Sequence, residues 1–106
     1  MIIKLALGIA LLAVTAGAIA PARAAEIEVT ITNLSFSPAQ VTVHAGDTIR
    51  WINKDFIAHT ATALDKSFDV SIPANGQGTL VLKATGKLDY FCRFHPMMKG
   101  SVQVSP

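Results

Sequence analysis

The chain has 106 residues, 51% of them apolar, with nine Lys and Arg against seven Asp and Glu and a single cysteine. That length holds one small domain, and one cysteine excludes an intrachain disulfide. The slight positive charge comes without any basic run interleaved with aromatics, which sets nucleic-acid binding aside.

Residues 1–24 open with Lys4, continue through an apolar run from Leu5 to Val14 and reach Ala22-Arg23-Ala24. A basic start, a short apolar core and small residues at a cut site read as a secretory signal peptide. A retained anchor is the poorer reading. Gly8, Thr15 and Gly17 interrupt the run, which falls short of the roughly 20 apolar residues of a spanning helix. Cleavage leaves residues 25–106, an 82-residue domain with no stable membrane insertion. Losing Lys4 and Arg23 leaves seven basic against seven acidic residues, so the exported domain is near neutral. Exported domains this small often lean on disulfides. A lone thiol there is either buried and inert or engaged in chemistry.

From Ile27 onward the chain is punctuated into short strands. Ile27, Val29 and Ile31 alternate with Glu28 and Thr30, as a half-buried strand does. Val41 and Val43 alternate next, and His44-Ala45-Gly46-Asp47 reads as a turn. Thr48 to Asn53 follows, with Ile49 and Trp51 on one face and Arg50 and Ile52 on the other; Asn53-Lys54-Asp55 ends it. Weaker strand candidates cover Ala58 to Thr62 and Ser67 to Ser71. Pro73-Ala74-Asn75-Gly76 is a turn signal leading into Thr79 to Lys83, then Leu88 to Cys92 and Ser101 to Val104. Seven to eight short strands without an amphipathic helix predict an all-β sandwich or small barrel. Trp51 and the Phe residues are read as core.

Chemistry concentrates in Tyr90-Phe91-Cys92-Arg93-Phe94-His95-Pro96-Met97-Met98. Cys92, His95 and Met98 recur three apart. On a helix, residues 92 and 98 would diverge by about 120°, and Pro96 biases His95 away from helical dihedrals. A tight loop between two strands can instead turn all three side chains toward one point, giving a soft site of mixed nitrogen and sulfur. Spacing alone does not exclude Met97. A fourth ligand must come from the two other histidines: His59, near the start of a candidate strand, or His44, in a polar turn where solvent exposure is the sensible reading. Two imidazoles, a thiolate and a long axial thioether make a blue-copper set. Zinc accepts Cys and His, but a thioether favours Cu(I), and zinc is not redox-active.

Taken together, Gly46-Asp47-Thr48-Ile49-Arg50-Trp51-Ile52-Asn53-Lys54-Asp55, then His59, then Cys92-Arg93-Phe94-His95-Pro96-Met97-Met98, resemble the cupredoxins. The short Cys-x-x-His-x-x-Met loop with Pro after His is most similar to the amicyanin branch, with pseudoazurins and plastocyanins further off. The resemblance spans about Ile27 to Val104. It implies a Greek-key β-sandwich with one type 1 copper at one end, held by His59, Cys92, His95 and the axial Met98. It also implies a small carrier that cycles Cu(I)/Cu(II) between larger redox proteins, a c-type cytochrome or a dehydrogenase or oxidase. One departure stands out: many cupredoxins have Asn directly after the first ligand His, tying the two ligand loops together, and Thr60 stands here.

The expectation is therefore a monomeric, periplasmic electron carrier with no catalytic residues. A copper storage or delivery protein is the alternative. Phe94, Pro96 and Met97, if arranged around the edge of His95, would form an uncharged ring suited to brief docking.

Overall fold

The computed structural model describes residues 24–106; the expected signal segment, 1–24, lies outside them except for Ala24. Nine strands follow in order: β1 (Glu26–Thr32), β2 (Ser35–Ser37), β3 (Gln40–His44), β4 (Thr48–Asn53), β5 (His59–Ala63), β6 (Asp69–Ile72), β7 (Gln77–Val81), β8 (Gly86–Cys92) and β9 (His95–Ser105). They form two sheets, ordered β2-β1-β4-β7 and β3-β9-β8-β5-β6. No helix occurs among the described residues. The β-sandwich expected from the strand pattern is the observed fold.

Alternation explains the layers. In β1, Val29 and Ile31 are buried, as are Ile49 and Trp51 in β4 and Val102 and Val104 in β9. These faces meet between the sheets, because period-two strands present one apolar side. At the centre Trp51 Nε1 donates a hydrogen bond to Tyr90 Oη at 3.2 Å. The two rings meet edge-on, with centroids 5.6 Å apart. Gly100 is required beside them, since a Cβ there would overlap the Tyr90 ring.

Several boundaries differ from the sequence reading. The strand count is nine, not seven to eight, because Ser35–Ser37 also pairs with β1. Three residues are too few to show alternation, yet Phe36 is buried against Tyr90 with centroids 4.8 Å apart. The candidates at 67–71 and 79–83 sit instead at 69–72 and 77–81. Not all Phe residues are core: Phe36 and Phe68 are, but Phe56 and Phe94 are exposed.

The largest change is at the end of the chain. β9 begins at His95 instead of Ser101, so the expected ligand loop shrinks to Arg93-Phe94 between two strands. The ladder pairs Phe91 with Lys99 and then Cys92 with His95. That shift leaves Pro96 to Met98 outside regular pairing, a bulge that suits a residue with no N–H to donate.

Tyr90 is the chain's only tyrosine, and burial pushes its phenol up to about 12. A titration of tyrosinate absorbance should therefore report this one group, with no ionisation near the ordinary 10. The unfolded chain releases that proton earlier. Neutral Tyr90 thus contributes full stability below pH 10, lost as pH rises through about 12.

Candidate metal centre

β5 and β8 bring the key residues together. Their antiparallel register pairs Thr62 with Phe91 and Ala63 with Tyr90. Carried onward, it sets Thr60 beside Arg93 and His59 beside the Arg93-Phe94 turn. The contact is real: the Arg93 N–H donates to Thr60 Oγ1 at 2.9 Å. Across that turn, Cys92 and His95 are direct partners.

Three donor atoms converge as a result. Cys92 Sγ lies 3.7 Å from His59 Nδ1 and 3.7 Å from His95 Nδ1. All three atoms fall within 4.8 Å of one another. His59 and Cys92 are fully buried, and His95 is partly exposed. Met98, three residues along β9, is 3% exposed, whereas Met97 is 90% exposed. His44 points to solvent with its side chain 74% exposed.

These separations test whether a metal fits. Metal–nitrogen bonds of about 2.0–2.1 Å and a metal–thiolate bond of about 2.3 Å, set 120° apart, put nitrogen and sulfur about 3.7–3.8 Å from each other. The two observed Sγ–Nδ1 distances match that spacing. Both sulfur–nitrogen edges of the donor triangle thus fit a trigonal ion.

The surroundings fix the donors. His59 Nε2 lies 2.8 Å from Asp55 Oδ2. Asp55 also accepts from the backbone N–H of Leu34 at 3.0 Å and of Asn33 at 2.8 Å. The Leu34 N–H, with the His59 ring beside it, holds the carboxyl below the usual carboxylate range. An ionised carboxylate only accepts, so the His59 proton sits on Nε2 and the Nδ1 lone pair faces Sγ. The loop carrying Asp55 is itself tied down. Asn53 Nδ2 donates to the carbonyls of Ile57 at 2.9 Å and Pro73 at 3.0 Å, and Asn53 Oδ1 accepts from the Asp55 N–H at 2.9 Å. The sulfur has its own donor: the Thr60 N–H points at Cys92 Sγ, 3.4 Å away.

Sequence reasoning placed Asn53 and Asp55 at a strand ending and within the stretch that resembles the cupredoxins, but gave neither a role at the site. Nothing in their spacing marks them, because Asp55 reaches His59 through a loop conformation and not through a periodic element.

A family model described as a cupredoxin-like domain matches residues 4–104. The chain is 32% identical over 95 residues to amicyanin-alpha of Methylorubrum extorquens, covering 82% of this chain and 78% of that one. Among solved structures it resembles an oxidised methionine-to-leucine variant of amicyanin, with TM-score 0.68 and 25% identity over 74% of this chain and 81% of the other. It also resembles the Cu(I) form of a methionine-to-alanine variant of amicyanin, with TM-score 0.67 and 26% identity over 76% and 82%.

Asp55→Ala should release the His59 ring and lower copper affinity by about 10–100-fold, the usual cost of losing a partner behind a ligand. Competition with a chelator of known affinity measures it.

Proposed function

The chain belongs to the cupredoxin-like family, with copper as its cofactor, and we propose that it carries single electrons between two exported redox proteins, holding one ion through His59, Cys92, His95 and Met98. It is a carrier and not an enzyme, as its amicyanin relatives indicate. The observation that supports this reading best is the pair of equal 3.7 Å separations between Cys92 Sγ and the two imidazole Nδ1 atoms.

Bound copper would supply a one-electron Cu(I)/Cu(II) couple. The protein's own part is to keep its donors still while the charge changes. Asp55 orients His59, the Thr60 N–H supports the thiolate, and the short turn holds His95 opposite Cys92. Burial of His59, Cys92 and Met98 keeps water from adding a further ligand. Met98 is assigned over Met97 because its thioether faces the interior and that of Met97 faces solvent.

His95 supplies the route outward. Its ring lies among Leu34, Phe94, Pro96 and Met97, which line one shallow hollow. Leu34 and Phe94 are about half exposed and Met97 is 90% exposed. They form an uncharged rim through which a partner approaches the imidazole edge in a small, short-lived interface. Donor and acceptor are larger redox proteins of the kind the resemblance implies, a c-type cytochrome or a dehydrogenase or oxidase. Export to the periplasm is supported by Lys4, the apolar run and Ala22-Arg23-Ala24. Storage or delivery of copper is disfavoured, since two of the donors are fully buried and exchange needs an accessible path.

Adding Cu(II) to the purified domain should give an intense band toward the red end of the visible from thiolate-to-copper charge transfer, absent in Cys92→Ser. A colourless protein that binds zinc stoichiometrically would overturn the reading. Met98→Ala should shift the visible and EPR spectra, and Met97→Ala should leave them nearly unchanged; the reverse result would exchange the assignment of the two residues.

A further inference from the structure

Thr60 and Thr62 are polar, lie two apart on β5, and occupy the face opposite Ala61 and Ala63, yet both are buried. A buried hydroxyl needs partners, and each has one proton to give. Their partners form a chain. Thr62 Oγ1 donates to Asp69 Oδ1 at 2.6 Å, within the range of a bond to an ionised carboxylate. The register sets those two residues directly opposite each other on β5 and β6. The Thr62 hydroxyl and the Arg93 guanidinium hold the Asp69 carboxyl below the usual range, so it carries no proton to offer.

The rest follows by elimination. Thr62 has given its proton to Asp69, so across the 2.9 Å between Thr60 Oγ1 and Thr62 Oγ1 Thr60 must be the donor. Thr60 then has only lone pairs left, and one of them takes the Arg93 N–H at 2.9 Å. Arg93 closes the ring, since its Nε–H donates to the same Asp69 oxygen at 3.1 Å. Reversing the Thr60–Thr62 bond would leave no proton between Thr62 and the Asp69 carboxylate.

We propose that Asp69 is a positioning residue: its carboxylate sets the direction of the Thr62–Thr60 hydroxyl chain, which clamps the Arg93 backbone and with it the Cys92–His95 turn onto β5. The ring takes over the tie that Asn makes after the first ligand His in many cupredoxins. It also keeps the Thr60 N–H aimed at Cys92 Sγ. The Asp69 carboxylate bonds to Thr62 and Arg93, neither of them among the four metal-site residues. The clamp belongs to the metal-free chain, and only its effect on copper rests on the ligand assignment above.

Amide hydrogen exchange on the metal-free protein tests the clamp directly. In Asp69→Ala and in Thr62→Val the Arg93 amide should exchange about tenfold faster, the scale of losing one net hydrogen bond, while the Val29 amide stays as slow as in the parent. Thr62→Ser, which keeps the hydroxyl, should restore the parent rate. The double variant should exchange no faster than the faster single one, because both break the same chain. In the copper-loaded protein, the charge-transfer band and the reduction potential should move in Asp69→Ala and Thr62→Val but not in Thr62→Ser. An unchanged Arg93 amide in Asp69→Ala, or fully additive effects in the double variant, would overturn the proposal. The Asp69 side chain is 52% exposed, so its variant decides the matter even if Thr62→Val fails to fold. A parent protein that never develops the band would defeat the ligand assignment and leave the exchange result standing.

Discussion

The pairing of β5 with β8 is the contact on which the rest depends. A β-strand register admits no partial slip: moving β5 by one residue would turn Ala61 and Ala63 outward and Thr60 and Thr62 into the core. The same slip would carry His59 away from Cys92. Apolar packing thus sets the position of the donors, because Ala61, Ala63, Tyr90 and Cys92 are buried together and the imidazole follows from where they sit. Energy gained over the whole sheet is spent on placing one atom.

That economy has a cost, since the site end of the sandwich holds several buried polar side chains: Asn53, His59, Thr60 and Thr62. Each would weaken the fold by roughly 1–3 kcal/mol if left without a partner. None is left so. Asn53 fastens the loop before β5, Asp55 meets His59, and the two threonines bond to each other and onward to Asp69. The groups that make the interior expensive are the ones that make it rigid, as a fully satisfied polar network does. A carrier gains from such rigidity, because donors that do not move between two oxidation states add little to the barrier for electron transfer.

The two faces of the site divide the work. Inward, the Cys92 sulfur and the His59 imidazole are sealed from water, the sulfur accepting from the Thr60 N–H and the imidazole donating to the Asp55 carboxylate. Outward, His95 emerges through a rim of Leu34, Phe94, Pro96 and Met97. Leu34 belongs to the turn whose N–H groups Asp55 accepts, so one carboxylate braces both a ligand and part of the surface beside it. The Arg93 guanidinium lies over the Phe94 ring, 5.5 Å from its centroid, and the near-neutral balance of residues 25–106 agrees with association by contact area more than by long-range attraction.

Much of this was legible in the chain itself. Alternation in Ile27–Ile31 and Thr48–Asn53 marked strands, the absence of a second cysteine removed disulfides, and Cys92, His95 and Met98 named the chemistry by type. What the residues could not tell was which of their neighbours would meet. Ser35–Ser37 is too short for a pattern, β9 starts six residues early because His95 and Lys99 find partners on β8, and spacing alone does not separate Met97 from Met98 until a strand buries one and exposes the other. The bonding partners of Asp55 and Asp69 carried no signal, since a carboxylate's partner is chosen by distance in space and not by separation along the chain. Residue types and their local periods are written in one dimension; register, bulges and hydrogen-bond direction exist only once two sheets have closed on each other.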